Sequence, residues 1–337
     1  MRNVELPRVL IITVKSDVAA DYVVWELRQL GVPFMRLNTE DFPLSICSSV
    51  SFQEGEATPK WDWLSPCLQP VDTRNVQAVW YRRHRLPVLP ERMVWAHAEY
   101  ALRESDWFLK GAISSLASNG KKISWMSHPL SIQRAESKIE QLRLAKLIGF
   151  NVPRTLIGND PVRIREFFRQ CGGTMVAKPL RLGYFDYGER QTCVYTSRVA
   201  SEEALRDESL HLAPVIFQEQ VPKLFDIRVT LVGERVYPVK IDGLSSSVDH
   251  PVDWRQLPPE QQSYELHLLP EEIAEKCLAY AKEFDLNYGA YDFILTPGGK
   301  YVFLEVNPSG QWLWLEDSLE LPISKAIARW LFERSGG

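Results

Sequence analysis

The sequence predicts a mixed α/β protein in which a β-α-β segment opens the chain and a strand-rich region follows. Residues 9–14 (VLIITV) form an apolar run of strand length. Residues 19–30 then carry apolar side chains at helical spacing, and Gly31 follows as a stop signal. Residues 33–37 return to a strand pattern. This order of elements is typical of α/β domains, so we expect one at the N-terminus.

The remainder of the first 122 residues extends this N-terminal domain. The β-α-β segment lacks a GxGxxG pattern, so we expect no dinucleotide site there. Residues 78–81 (AVWY) predict a further strand of the same sheet. Residues 91–118 predict one long helix or two, ending at Asn119-Gly120. We place the boundary of this domain after residue 122.

The central segment, residues 123–212, alternates helix and strand signals. Residues 132–148 predict a helix with apolar side chains, Ile139 and Leu147 among them, mostly on one face. Residues 174–179 (TMVAKP) predict a strand that carries a single lysine, Lys178.

The third segment, residues 213–337, is rich in strand signals. We expect strands, one helix and one hairpin, in that order, over residues 215–221, 227–232, 236–241, 271–284 and 289–307. Two polar stretches, residues 182–191 and 243–262, predict mobile loops.

The composition excludes several classes of protein. A net charge of −4 and a pI near 6.0 do not suggest a sequence-independent grip on nucleic acid. No apolar run approaches the roughly 20 residues needed to span a bilayer, and the N-terminus has no small-residue cleavage site of a signal peptide. The five cysteines form no CxxC pattern or Cys/His cluster, which disfavours zinc and a disulfide framework. We therefore expect a reducing, cytosolic compartment.

The predicted hairpin carries carboxylates in strands that are otherwise apolar. If Gly298-Gly299 form a two-residue turn, Asp292 and Glu305 face each other directly. Strand alternation adds Asn307 to the face of Glu305. Because like charges directly opposite each other destabilise a sheet, a hard divalent cation is expected between them. Two carboxylates and an amide oxygen suit Mg²⁺.

A solvated hairpin face is the competing interpretation of this pattern. Tyr301 and Phe303, which alternation places on the same face, disfavour it. The length of the loop also matters, because a four-residue loop would keep the carboxylates on one face as a diagonal pair, whereas a three-residue loop would separate them.

A magnesium site with few protein ligands implies phosphate oxygens, and therefore cations on neighbouring elements. Lys178 is flanked by apolar residues and needs an anion, whereas Lys138 taken alone is more often a surface residue. Residues 217–221 predict an apolar strand with an edge that reads a base through backbone groups. Asp226 and Arg228 share a strand face, so Arg228 either bridges phosphate oxygens or forms a surface pair with Asp226.

The order of these features resembles the ATP-grasp family, and more narrowly the graspetide synthetases, the ATP-grasp peptide maturases of the microviridin type. The resemblance runs almost from end to end. His84 departs from it, where Pro or a small residue is expected, and the stretches 182–191 and 245–251 fall outside its motifs. Its landmarks are LNTEDFP at 37–43, VWYRR at 79–83, DIRVTLVG at 226–233, VDWR at 252–255 and NYGAYDFILTPGGKYVFLEVNPSGQWLWLE at 287–316.

The resemblance implies an ATP-grasp fold with a pre-ATP-grasp domain (1–122), a central domain (123–212) and a C-terminal domain (213–337). It implies a reaction in which ATP converts an Asp or Glu side chain of a ribosomal precursor peptide into an acyl phosphate. A hydroxyl or amine of the same peptide then forms an ester or amide. The implied roles are phosphate binding by Lys138 and Lys178, adenine contact by backbone groups of Glu219 and Val221, ribose contact by Asp226, Mg²⁺ ligation by Asp292, Glu305 and Asn307, and stabilisation of the phosphoryl group by Arg228 and Arg255.

The resemblance also implies a precursor peptide with leader and core as the partner, and a homodimer. Two other functions compete with it: a ligase that adds a free amino acid or amine to a carboxylate, and an inactive nucleotide-dependent peptide-binding protein. Trp312 and Trp314 either line a peptide cleft or belong to the core, and core packing is the more common outcome.

Overall fold

The computed structural model describes residues 7–52, 54, 60–65, 68–116, 123–181, 183–186, 191–206, 208–242 and 252–336. These residues form eighteen β-strands and eight α-helices, which confirms the mixed α/β class. None of the described helices is long and apolar enough to cross a membrane.

The N-terminal segment contains a parallel sheet in the order β2-β1-β6-β7 and an antiparallel sheet in the order β3-β4-β5. The predicted β-α-β opening and the strand at 78–81 are confirmed, while the predicted helix end at Asn119-Gly120 lies outside the described residues. The elements are β1 (Val9–Thr13), α1 (Val18–Gln29), β2 (Phe34–Asn38), β3 (Cys47–Ser51), β4 (Lys60–Ser65), β5 (Leu68–Asp72), β6 (Ala78–Tyr81), α2 (Trp95–Leu116) and β7 (Ser124–Trp125).

The central segment and β13, the first strand of the third segment, form an antiparallel sheet in the order β12-β9-β13-β8, and a separate β10-β11 pair lies within and beyond the predicted loop at 182–191. Residues 182 and 187–190 of that loop lie outside the described residues. The elements are α3 (Pro129–Glu136), α4 (Lys138–Ile148), β8 (Thr155–Gly158), α5 (Pro161–Gln170), β9 (Met175–Lys178), β10 (Gly183–Asp186), β11 (Gln191–Val194), β12 (Ser197–Arg198) and β13 (Val215–Glu219).

The single helix predicted over residues 132–148 is wrong, because the backbone leaves the helix at Ser137. Its side chain accepts a hydrogen bond from the Glu140 N–H and caps α4 as a new helix. Each helix therefore has its own buried face. Ile139 and Leu147, predicted to share one apolar face, are 58% and 72% exposed, whereas Leu144 is buried.

The C-terminal segment contains a five-stranded antiparallel sheet in the order β16-β15-β14-β17-β18. The predicted helix at 271–284 is confirmed, and residues 243–251 of the second predicted loop lie outside the described residues. The elements are β14 (Phe225–Val232), β15 (Arg235–Asp242), β16 (Ser263–Leu266), α6 (Glu271–Phe284), β17 (Tyr288–Leu295), β18 (Tyr301–Asn307), α7 (Leu313–Leu319) and α8 (Ile323–Arg334).

Two hydrophobic cores hold these segments together. One face of the five-stranded sheet packs on α4 and α6, where Phe303 stacks on Phe150 with ring centroids 5.3 Å apart. The C-terminal helix α8 does not pack there. It lies with α1 against the N-terminal parallel sheet, where Ile327 and Leu331 are fully buried. The first and third segments therefore share one core. The face of the five-stranded sheet that points away from α4 and α6 borders a cavity.

Candidate functional site

A cavity of about 510 Å³ lies between the four-stranded central sheet and the five-stranded sheet. Strands β9 and β13 supply one wall, β14, β17 and β18 supply the other, and the segment 252–257 borders it. Nine of the ten residues that the sequence predicts for a site line this cavity. The tenth, Arg228, contacts the cavity residue Asp292. The predicted residues are therefore brought together.

Asp292 of β17 and Glu305 of β18 are direct cross-strand partners, as predicted, but the route to this pairing differs from the prediction. The strands are joined by residues 296–300 and not by a two-residue turn. An uninterrupted ladder from this loop would place Asp292 opposite Leu304. A β-bulge next to Phe293 leaves Leu304 unpaired and brings Glu305 opposite Asp292.

The bulge also decides which side chains face the cavity. The prediction that Phe303 shares the face of Glu305 is wrong, because Phe303 is fully buried on the opposite side, against Tyr280 of α6. Leu304 and Glu305 are neighbours in sequence, and both line the cavity. Strand alternation slips by one residue at the bulge, so a carboxylate can enter the cavity directly after an aromatic core residue.

Glu305 is held by a lysine from another element. Lys138, the first residue of α4, places its Nζ 2.7 Å from Glu305 Oε2. Burial raises the pKa of the Glu305 carboxyl, but the charges of Lys138 and Lys178 outweigh that effect and hold the pKa well below its ordinary value. Glu305 is therefore a carboxylate at neutral pH.

Asp292 is held by an arginine on the adjacent strand. Arg228 is its register partner in β14, and Arg228 Nη1 donates to both carboxylate oxygens at 2.8 Å. Arg228 is 8% exposed. The alternative of a surface pair between Arg228 and Asp226 is wrong, because Asp226 accepts instead from Lys223 Nζ at 2.7 Å.

Asn307 lies two residues beyond Glu305 and also lines the cavity. Its side-chain oxygen accepts a hydrogen bond from the Ser309 N–H at 2.9 Å, which fixes the orientation of the amide. The described residues contain no cluster of three or more His, Cys, Asp or Glu that could hold a metal ion. Two carboxylates and one amide oxygen form an incomplete shell that fits Mg²⁺ when phosphate oxygens and water supply the remaining ligands.

Lys178 ends β9 at the cavity wall. In the described part of the chain its ammonium group forms no hydrogen bond and no ion pair within 4 Å. Burial lowers its pKa, and the nearby charges of Lys138 and Arg255 lower it further, although Glu305 acts in the opposite direction. A buried cation in this position suits an anionic ligand.

Glu219 and Val221 lie where β13 ends beside the cavity. The Glu219 carboxylate accepts from the Arg154 backbone N–H at 2.9 Å and from Arg154 Nε at 2.6 Å. Its side chain is thus engaged, which leaves backbone groups for a ligand. The Val221 N–H has no hydrogen-bond partner among the residues that the structure describes.

Asp226 and Lys223 form a largely buried pair at the start of β14. Lys223 Nζ also donates to Val252 O at 2.9 Å, so the lysine ties the 252–257 segment to the sheet. Burial raises the pKa of Asp226 to about 6, although Lys223 acts to lower it.

Arg255 stands at the mouth of the cavity, with its side chain 48% exposed. Its Nε and Nη2 donate to the two oxygens of buried Asp253, both at 2.8 Å. Burial lowers the pKa of Arg255, but Asp253 outweighs this and raises it overall. On the other side, Gln256 Nε2 donates to Thr196 O at 3.1 Å. The guanidinium is therefore a permanent cation in a fixed position.

The two tryptophans after the hairpin, Trp312 and Trp314, lie in different environments. Trp312 is fully buried and its Nε1 donates to Ser324 Oγ, so the core interpretation is correct for it. Trp314 is partly buried and packs against Trp254 and Tyr264, with ring centroids 5.2 and 4.8 Å away. Trp314 therefore belongs to an aromatic cluster beside the mouth of the cavity.

Sequence reasoning missed three charged residues around the site. Lys223 and Asp253 fix the 252–257 segment, and Arg82 contacts the loop after β18. Arg82 and Asp253 lie in the VWYRR and VDWR landmarks, so the sequence marked these positions but did not indicate what the side chains do. Lys223 lies three residues before Asp226, and no sequence pattern marked it. His84, the departure from the family pattern, lies with its Nε2 2.8 Å from Asp106.

Comparisons with known proteins identify the family of this chain. The MvdD pre-ATP grasp domain family matches residues 8–128. The fold resembles a RiPP-associated ATP-grasp ligase of Chryseobacterium gregarium, solved with ADP and with a leader and core peptide; the identity is 28%, the TM-score 0.87, and the match covers 98% of this chain and 97% of that one.

Two macrocyclases of Microcystis aeruginosa MRC are also similar. For MdnC, bound with the precursor peptide MdnA, the identity is 30% and the TM-score 0.83, with coverage of 96% of this chain and 99% of that one. For MdnB the corresponding values are 35%, 0.78, 96% and 98%. A search of curated proteins finds no match.

The carboxyl of Asp226 generates a prediction about pH. Its pKa of about 6 lies above the ordinary value of 3.8, so the folded protein retains a proton that the unfolded chain has lost between these pH values. Wild type therefore loses stability as the pH rises from about 4 to about 6. Asp226→Asn removes this titration and should gain free energy of unfolding relative to wild type over that range, by up to about 3 kcal/mol.

Urea denaturation of both proteins between pH 4 and pH 7 measures this difference. The gap should widen up to about pH 6 and then stay constant. A gap that is independent of pH, or that narrows as the pH rises, would contradict the raised pKa.

Proposed function

Because the chain belongs to the graspetide-type family of ATP-grasp ligases, we propose that it crosslinks a ribosomal precursor peptide through its own Asp or Glu side chains. ATP phosphorylates a peptide carboxylate, and a hydroxyl or amine of the same peptide displaces the phosphate. One observation carries this proposal: nine predicted site residues, including two adjacent carboxylates and several cations, line one cavity between two sheets.

The first step transfers the γ-phosphoryl group. A peptide carboxylate oxygen attacks the γ-phosphorus, the bond to ADP breaks, and an acyl phosphate forms. Phosphoryl transfer requires positioning and charge neutralisation more than a protein nucleophile. Lys138 and Lys178 are assigned to the phosphates, and Arg255 to the group in transfer, because its guanidinium is fixed by Asp253 at the mouth. Arg228 acts on the charge of the group in transfer indirectly, because it holds Asp292 in place.

Magnesium is assigned to Asp292, Glu305 and Asn307. When bound there it neutralises charge on the phosphate oxygens. Glu305 and Asp292 are ready to ligate it because one is kept ionised by Lys138 and the other is oriented by Arg228. The arriving phosphates offer Lys138 a second anion, so the lysine can share its charge between Glu305 and nucleotide.

The adenine end is assigned to the backbone of Glu219 and Val221, and the ribose to Asp226. This assignment is supported by the Arg154 contact, which keeps the Glu219 carboxylate away from the base. In the second step a hydroxyl or amine loses its proton and attacks the acyl carbon, and inorganic phosphate leaves. The peptide therefore loses one water for each crosslink.

Two other functions remain distinct alternatives: addition of a free amino acid or amine to a carboxylate, and docking of a peptide without catalysis. The intact set Asp292, Glu305 and Asn307 disfavours the second alternative. The first differs from the proposal only in the source of the nucleophile, so the mass of the product separates them.

Co-expression with a precursor peptide that carries a leader and a core tests the proposal by mass spectrometry. We expect the peptide to lose about 18 Da for each crosslink. A gain equal to an added amino acid minus water would support the free-amine ligase.

Glu305→Gln should abolish the mass loss because it removes one charge from the metal ligands. Glu265→Gln, at an exposed carboxylate that pairs with Lys240, is the matched control and should retain the mass loss. An unchanged peptide with wild type, or full activity of Glu305→Gln, would contradict the proposal.

Lys178 generates a prediction about nucleotide affinity. Lys178→Met keeps most of the length of the side chain and removes a partly buried positive charge next to the phosphates. We expect the dissociation constant of ADP, measured by calorimetry, to rise at least about tenfold, the loss of one charged hydrogen bond. The matched control is Lys282→Met, on the surface of α6. An unchanged dissociation constant would remove Lys178 from the site.

We also propose that the protein is a homodimer that pairs through α2. Only the C-terminal half of α2 is buried, at Leu109, Ala112, Ile113 and Leu116. Its opposite face carries Tyr100 and Trp107, which are 61% and 73% exposed and two turns apart. The N-terminal half of α2 buries none of the side chains named above, and a helical segment without such packing is only marginally stable in water. It therefore needs a partner surface.

A second copy fits this surface because the face is self-complementary. In an antiparallel pair centred between Arg103 and Glu104, each arginine meets the partner's glutamate. The same arrangement sets each Tyr100 against the partner's Trp107. Among the described residues of one chain, Arg103 makes one loose ion pair, 3.9 Å from Glu99, so it is available for this pairing.

Trp107→Glu tests this interface. We expect sedimentation or light scattering to give a dimer for wild type and a monomer for the variant, because each new carboxylate would be buried against the partner's Tyr100 in place of an aromatic ring. Trp25→Glu is the matched control, since Trp25 is 58% exposed on α1, and it should remain dimeric. A monomeric wild type, or a dimeric Trp107→Glu protein, would contradict the interface.

We further propose the three-part division at residues 1–122, 123–212 and 213–337, and a cytosolic location. The scattered cysteines support this location, and the four of them in the described part of the chain, Cys47, Cys171, Cys193 and Cys277, are free.

A further inference from the structure

Arg82 is a buried arginine between the N-terminal sheet and the loop that follows β18. It comes directly after β6 and is 1% exposed. Its Nη1 donates to Ser309 O, and its Nη2 donates to Gln311 Oε1 at 2.9 Å. The guanidinium carbon lies 4.8 Å from the centre of the Trp312 ring. An N-terminal side chain therefore grips the loop at residues 308–312.

This loop contacts two of the residues assigned to magnesium. The Ser309 N–H donates to Asn307 Oδ1 at 2.9 Å. Gln311 O accepts from Arg228 Nη2 at 3.4 Å, and Arg228 Nη1 holds both oxygens of Asp292 at 2.8 Å. A shift of the loop would therefore move Asn307 directly and Asp292 through Arg228.

The loop has no room to shift toward the sheet. A Cβ atom on Gly310 would lie 2.5 Å from Ala290 Cβ and 2.9 Å from Arg228 Nη2. Tyr288 Oη donates to Gly310 O at 2.8 Å on the same side. The sheet limits the loop from one side, and Arg82 holds it from the other.

The surroundings of Arg82 indicate that this side chain positions the loop at residues 308–312 and does not simply stabilise the fold. Its nearest carboxylate, Asp17, lies 3.7 Å from Nε, and Nε forms no hydrogen bond with any described residue. The charge is thus satisfied mainly by loop oxygens. A buried charge with imperfect pairing contributes little to stability compared with apolar residues of similar volume.

We infer that Arg82 is a positioning residue of the magnesium-nucleotide site, through which the N-terminal domain holds Asn307 and Arg228 in place. The inference rests on the proposed function, because it assumes that Asp292 and Asn307 bind the metal. Residues that orient metal ligands typically contribute about 10- to 100-fold to metal affinity. Arg82 acts one contact further away, so the lower end of that range is expected.

Binding of Mn²⁺ in the presence of ADP, followed by electron paramagnetic resonance, tests this role. We expect Arg82→Met to weaken Mn²⁺ binding about tenfold, while the affinity for ADP without metal stays unchanged. Arg134→Met is the matched control and should bind Mn²⁺ like wild type. Arg134 also stacks on a ring, 4.9 Å from Phe284, and donates to a backbone carbonyl, Glu283 O at 3.0 Å, but away from this loop.

A double variant separates positioning from stability. Arg82→Met with Asp17→Asn removes both charges of the buried pair, so the carboxylate is not left without a cation and the melting temperature should recover toward that of wild type. Mn²⁺ binding should remain weak in the double variant. Recovery of Mn²⁺ binding together with stability would overturn the inference, as would wild-type binding by Arg82→Met. If wild type binds no Mn²⁺ with ADP, the proposed function fails and this inference fails with it.

Discussion

Two carboxylates on neighbouring strands, Asp292 and Glu305, lie side by side in a partly buried cavity, and much of the site follows from that constraint. Like charges in this arrangement repel each other, so each needs its own cation. Arg228 comes from the next strand and Lys138 from a helix terminus. Because the cations approach from different elements, the carboxylates keep a shared side toward the cavity, where a metal ion bound to phosphate would neutralise both.

The fold supplies this arrangement through features that are distant in sequence. A bulge at Leu304 turns Glu305 into the cavity while Phe303 remains in the core. Ser137 restarts a helix so that Lys138 begins α4. Asp253 and Lys223 fix the segment that carries Arg255. The N-terminal sheet contributes through Arg82 and through the core it shares with α8, so the cavity depends on all three segments.

Much of this could be predicted from the sequence. The β-α-β opening, α6 and the hairpin follow from hydrophobic period and turn residues, which are local signals. The pairing of Asp292 with Glu305 was predicted correctly from a wrong turn, because the longer loop and the bulge compensate for each other. A bulge is decided by packing across the sheet, so no local pattern reveals it. The same holds for Lys223 and Arg82, which act through contacts with loops 29 and more than 220 residues away.

The most direct test is a crystal structure with ADP and Mn²⁺, in which anomalous scattering locates the metal. We expect an anomalous peak in contact with Asp292, Glu305 and the Asn307 oxygen, with phosphate oxygens completing the shell. We expect the adenine at the backbone of Glu219 and Val221. Two results would contradict this assignment. One is an anomalous peak elsewhere. The other is bound nucleotide while Asp292 still contacts only Arg228 and Glu305 only Lys138.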